Sequence, residues 1–198
     1  MPGAFACCSL FSVVSPELLA ERYEQGIEPP NGYLTQLDGW WLLVDGTACE
    51  TGNWARQRDI GIALSADEGI AVSVFIADEE WALSLAVNGE PGPTTIYLPD
   101  NDELLARAPY TLMALETAFS LLYPDRMDVD EVDALFGALL EGASPPEVVF
   151  TALFAMLGIP EDWQRWAWFE SIPEQLFTDP DLADRVIPLG EAKQLWEE

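Results

Sequence analysis

Residues 70–90 read IAVSVFIADEEWALSLAVNGE, and the alternation in this stretch decides the fold class. Successive strand residues point to opposite faces, so Ile70, Val72, Val74 and Ile76 share one face of a first strand. Trp81, Leu83, Leu85 and Val87 share one face of a second. The intervening "ADEE" makes the pair a hairpin. Asn88-Gly89 is the dipeptide that favours a tight two-residue turn, here toward a third short strand at "TTIYL". The opposite face of the second strand carries only Ala82, Ser84 and Ala86, which suits a closely packed helix or an exposed, weakly polar surface.

Upstream of the hairpin, residues 4–14 are apolar and β-branched and end at "SPELLAERYEQG". Ser15 is an N-cap, Pro16 suits the first helical position, and Gly26 is placed for a left-handed stop, so a strand feeds a helix of about three turns. "EPPNGY" reads as loop, and "WWLLV" as a strand that ends in a turn at Asp45-Gly46. "NWARQRDIGIALSADEG" is a helix behind an asparagine cap, weakened by Gly61.

From Asp102 onward the period changes to helical. "DELLARAPYTLMALETAFSLLYPD" has apolar residues three and four apart with an interruption or kink at Pro109. Asp128 with Glu131 starts one further helix, and Ser144, Pro145 and Glu147 start another that Gly158 closes. "PEDWQRWAWFES" is a short helix, and "DPDLADRV" and "GEAKQLWEE" are helices of one or two turns. The fold class is therefore α+β: a mixed, mostly antiparallel sheet in the order β-α-β-α-β-β-β, with a helical half packed on it. Residues 1–99 are sheet-rich and 100–198 helical. The boundary near 100 is one at which two units would part, but the second half's helices are too apolar to stand without a sheet to cover, and one domain over 1–198 is expected.

Charge narrows the function classes. The 198 residues carry 35 Asp and Glu against 8 Lys and Arg and no His, a formal charge of −27, with 49% hydrophobic residues. That apolar content places the chain among folded proteins and not among disordered acidic ones. The acid is spread through both halves, 14 acidic to 3 basic residues before position 100 and 21 to 5 after it. Such a field repels nucleic acid and anionic membranes and attracts cations. No apolar run is long enough to span a bilayer, and the first strand has no basic residue ahead of it, so neither a membrane segment nor a signal peptide is expected. Cys7, Cys8 and Cys49 lack chelating spacing and read as buried small apolar residues of a reducing, cytoplasmic compartment.

Without histidine, Ser-His-Asp triads, Cys-His pairs and the usual zinc motifs are excluded. Neither GxxxxGK[ST] nor a strand-borne GxGxxG occurs, and the single lysine, Lys193, lies in an amphipathic tail, so no cofactor is expected. Carboxylates are the one abundant catalytic type. Their richest cluster is Asp125, Asp128, Asp130, Glu131 and Asp133, oxygen ligands for a hard cation such as calcium or magnesium. The cluster lacks the turn glycine and spacing of a calcium loop, and acids at a helix start serve capping and the helix dipole, the reading favoured here.

Tryptophan supplies the other signal. At 100° per residue Trp163, Trp166 and Phe169 form one core stripe, while Trp168 falls on the far side. There it either packs under the tail or offers an exposed indole of the kind that anchors interfaces. Trp40 and Trp41, adjacent in a strand, face opposite ways, one to the core and the other to a helix, a partner or water. The function expected is thus a non-catalytic acidic domain whose surface, with Trp168, Trp40 and Trp41 as partner-binding residues, meets a basic protein. A neutraliser of a cationic toxin or nuclease and a mimic of the DNA phosphate surface are its two forms. The alternatives are a carboxylate enzyme, with a divalent cation at Asp125–Asp133, and a domain whose acid serves solubility alone.

Overall fold

The computed structural model describes residues 5–196. The hairpin forms as the alternation requires: β4 (Ile70–Ala77) and β5 (Glu80–Val87) run antiparallel with Val72 opposite Leu85, Val74 opposite Leu83 and Ile76 opposite Trp81. Asn88 and Gly89 both take positive φ, 57° and 78°, the paired left-handed conformation that suits a two-residue hairpin turn. They lead into β6 (Glu90–Tyr97). On its other edge β4 pairs with β1 (Phe5–Ser12), which pairs in turn with β3 (Trp40–Asp45), β2 (Asn31–Leu37) and finally β7 (Val186–Gly190). All seven strands are antiparallel to their neighbours, in the order β6-β5-β4-β1-β3-β2-β7.

Two of these strands depart from the sequence reading. Prolines 29 and 30 and the pair Asn31-Gly32 mark β2 as loop, yet Gly32 sits inside the strand. A Cβ there would lie 2.6 Å from the Val44 carbonyl oxygen and 2.9 Å from the Tyr23 hydroxyl. This glycine permits close approach and does not signal a turn. β7 fills the gap between the two short tail helices that the sequence predicts, where no strand is expected, and its Pro188 is tolerated because β7 is an edge strand. The opposite edge, β6, carries Pro91 and Pro93, so prolines blunt both ends of the sheet against further pairing.

One face of the sheet is covered by α1 (Pro16–Gly26) and α3 (Trp54–Leu64), around Phe11, Leu34, Leu43, Ala71 and Ala86. Ser15 and Asn53 cap these helices, accepting from the backbone N–H groups of Leu18 and Arg56. Gly26 ends α1 without a left-handed stop, since the chain leaves through extended Ile27. The small residues of this face admit α3 closely: at Gly61 a Cβ would stand 2.4 Å from Ser73 Oγ. Asp45 does not begin a turn but caps a short helix, α2 (Gly46–Thr51), accepting from the N–H of Ala48.

The other face is covered by α4 (Asp102–Leu122), α5 (Val129–Leu140), α6 (Pro146–Met156) and a 3₁₀ helix, Glu161–Trp166. α4 runs through Pro109 as one helix of 21 residues. Ser144 is not the cap of α6; Pro145 holds that position in extended conformation with no side-chain bond. α7 (Ser171–Thr178), a second 3₁₀ turn, Pro180–Arg185, and α8 (Ala192–Trp196) complete the described chain. The larger core joins sheet residues such as Val74, Trp81 and Leu83 to Leu112, Phe136, Phe150 and Trp163 from the helical half.

Candidate functional site

Most of the positive charge is spent locally. Arg22 pairs with Asp67 at 2.5 Å, Arg56 with Asp45 at 2.7 Å, Arg58 with Asp59 at 2.7 Å, Arg107 with Glu103 at 3.9 Å and Lys193 with Glu24 at 2.5 Å. Arg126 donates to the Leu157 carbonyl, and Arg165 donates to Gln175 and lies 5.8 Å over the Trp166 ring. Among the described residues Asp45 is the one buried carboxylate.

Asp45 is saturated. Its oxygens accept from Tyr23 Oη at 2.5 Å, from Arg56 Nε at 2.7 Å and Nη2 at 3.0 Å, and from the Ala48 N–H at 2.7 Å. Burial, reinforced by the Asp45 charge, pushes the Tyr23 phenol far above its ordinary range, so Tyr23 stays protonated and donates. Alongside, Gln57 Nε2 donates to Ser9 Oγ at 2.9 Å, and Ser9 shares a hydrogen bond with Ser73 at 2.8 Å. With four donors on one carboxylate there is no free acceptor for a reacting group, and the network is a structural one.

The acidic cluster is distributed around a helix start. Asp125, Asp128, Asp130, Glu131 and Asp133 are all exposed, and Asp128 Oδ1 accepts from the Glu131 N–H as the cap of α5. Among the described residues no group of three or more His, Cys, Asp or Glu is placed to hold a metal ion. Asp133 acts instead on α4: it and, more strongly, partial burial raise the Glu116 carboxyl above its ordinary value. The three cysteines are free and buried, and burial raises the Cys8 thiol well above the usual range.

Trp163 and Trp166 are buried together, because the 3₁₀ helix Glu161–Trp166 brings every third residue into line, and Phe169, buried in the turn just beyond it, joins them in the same core. Trp168 is half-buried against the larger core. Trp40 is buried, its ring N–H donating to the Leu157 carbonyl at 3.2 Å, and offers no surface to a partner. Trp41 is half-buried on the opposite face, packed against the smaller core.

What sequence reasoning missed is the outer side of α4. Ala108, Leu112, Leu115 and Phe119 face the core, yet Tyr110, Met113 and Leu121 are 71%, 59% and 77% exposed. The signal was present: apolar residues occupy two opposite sides of this helix, more than a single buried face needs. Two clefts flank the helical layer. One, of about 830 Å³, is lined by Val13, Asp38, Trp40, Tyr123 and Asp125 among others, and Val13, a β-branched residue at φ 69°, is 76% exposed at its border. The second, of about 490 Å³, has Asp78, Glu79 and Glu147 around the stacked rings of Trp81 and Tyr97, 5.2 Å apart. No helix among the described residues is long and apolar enough to cross a membrane. No protein-family model matches the chain, and neither a curated protein nor a solved structure matches it.

Proposed function

We propose that this chain is a non-catalytic, acidic interaction domain that binds a basic partner protein, as a neutraliser of a toxin or nuclease or as a mimic of the DNA phosphate surface. The observation that carries this reading is the use of cations: among the described residues five basic side chains are held by carboxylates of the same chain, while the great majority of the acids have no such partner. The resulting field speeds encounter with a positive surface and opposes direct binding to nucleic acid. Three unbridged, buried thiols accord with a reducing, cytoplasmic setting.

The test is kinetic. Association with a basic protein or with poly-lysine, followed by biolayer interferometry, is expected to slow steeply as salt rises from about 50 mM to about 500 mM, where screening shortens from beyond 10 Å to a few ångström. An association rate indifferent to salt, or no association at all, defeats the proposal.

A further inference from the structure

We infer that the outer face of α4 is the docking surface for an amphipathic helix of that partner, one whose apolar stripe is flanked at both ends by lysine or arginine. This rests on the function just proposed and adds the place and the form of the contact.

The geometry is that of a helix with two apolar sides. Measured from Tyr110 at 100° per residue, Met113 lies about 60° to one side, and Thr117 and Leu121 about 20° to either side. Ala106 and Ala114 fall within the same wedge, about 100° wide, diametrically opposite the core stripe of Leu112, Leu115 and Phe119. Small residues alternate with large ones along it, leaving gaps into which a second helix can set its side chains. From Tyr110 to Leu121 the stripe is about 16 Å long, three turns of a partner helix.

Charge identifies the occupant. From Leu104 to Pro124 the chain holds one acid, Glu116, and one base, Arg107, which borders the wedge and is paired with Glu103, in a protein where acids are otherwise dense. Carboxylates stand at both ends, with Asp100 and Asp102 before the stripe and Asp125, Asp128 and Asp130 after it. Along one side Glu116 faces Asp133, a like-charged pair that a cation would relieve. An apolar centre with an acidic rim matches an apolar stripe with basic ends. A second copy of this chain fits badly, because antiparallel pairing of two α4 helices lays the acids of one end over the acids of the other.

The experiment uses the full chain and three synthetic helical peptides: one with a leucine stripe and lysines at both ends, one of identical composition but scrambled order, and one with glutamates at the ends. Fluorescence anisotropy is expected to show binding of the lysine-ended helix alone. Met113→Glu and Leu121→Glu each weaken it by about thirtyfold or more, the size of an interface hot spot, although each adds an attractive charge. Val148→Glu, which adds the same charge at another exposed apolar position, leaves it unchanged. Leu121→Ala, too mild to disturb the fold at an exposed site, weakens it in the same direction.

Equal binding to all variants, or equal binding of the scrambled peptide, overturns this docking site while leaving the acidic-domain reading intact. Failure of poly-lysine as well as the peptides removes both. Sedimentation showing a wild-type dimer that Leu121→Glu dissolves assigns the face to a second copy and overturns the inference.

Discussion

The two faces of the sheet are filled by different chemistry. Beneath α1 and α3 the contact is close and polar: Ser9, Ser73 and Gln57 exchange hydrogen bonds, Gly61 lets the helix backbone reach the sheet, and Asp45 ties Tyr23, Arg56 and α2 together. Beneath α4, α5 and α6 it is apolar and aromatic, with Trp81 edge-on to Phe150 at 5.7 Å and Phe154 edge-on to Trp163 at 4.9 Å. Directional bonds admit one arrangement and fail sharply when a partner is lost, whereas dispersion contacts yield by degrees.

The largest expected effect breaks the polar side. Asp45→Ala leaves a phenol and a partly buried guanidinium without their acceptor and is expected to cost about 3–5 kcal/mol in urea unfolding. Phe154→Leu on the apolar side is expected to cost only about 1–1.5 kcal/mol. Equal losses would erase the distinction. Gly61→Ala comes next, at about 1–3 kcal/mol from overpacking, and less in a Ser73→Ala background that removes the atom it meets first. Additivity in that double mutant would place the strain elsewhere.

Smaller effects lie at the periphery. The hydrogen bond from Lys193 holds the Glu24 carboxyl below its ordinary value of 4.5, so the pair adds stability above that pH and loses it as pH falls through the lowered value. Lys193→Met is therefore expected to cost at most about 1 kcal/mol near neutrality and nothing in strong acid, measured by thermal melts across pH. Glu116 has the opposite sign. Its raised carboxyl makes ionisation in the folded state unfavourable, so Glu116→Gln is expected to raise the melting temperature slightly at pH 7 and to leave it unchanged at about pH 3, where folded and unfolded chains are both protonated.

The apolar side was the more legible of the two in the sequence. Strict alternation over Ile70–Val87 specified both the hairpin and its inward face, and the helices of the second half announced themselves by period, α5 also by its Asp128 cap, whereas α6 lacks the Ser144 cap that the sequence predicts. The polar side was obscured because its devices resemble breakers. Gly32 reads as part of a turn and lies in a strand, Gly61 weakens a helix that needs it, and Asp45-Gly46 reads as a turn where Asp45 caps α2. Local propensity registers the cost of such residues and not the tertiary contact that compensates it. The candidate docking face was hidden for a different reason. Periodicity shows that α4 has apolar residues on two sides, but only the placement of α5 and β6 leaves Tyr110, Met113 and Leu121 outside.

Residues 186–190 close the sheet beside β2, which lies far earlier in the chain and is therefore translated well before them. During synthesis the backbone donors and acceptors along that side of residues 31–35 have no permanent mate until residues 186–190 have emerged. The nascent chain therefore carries an unsatisfied β edge while the intervening residues are made, and a strong negative charge of the kind this chain has opposes the approach of a like copy to such an edge.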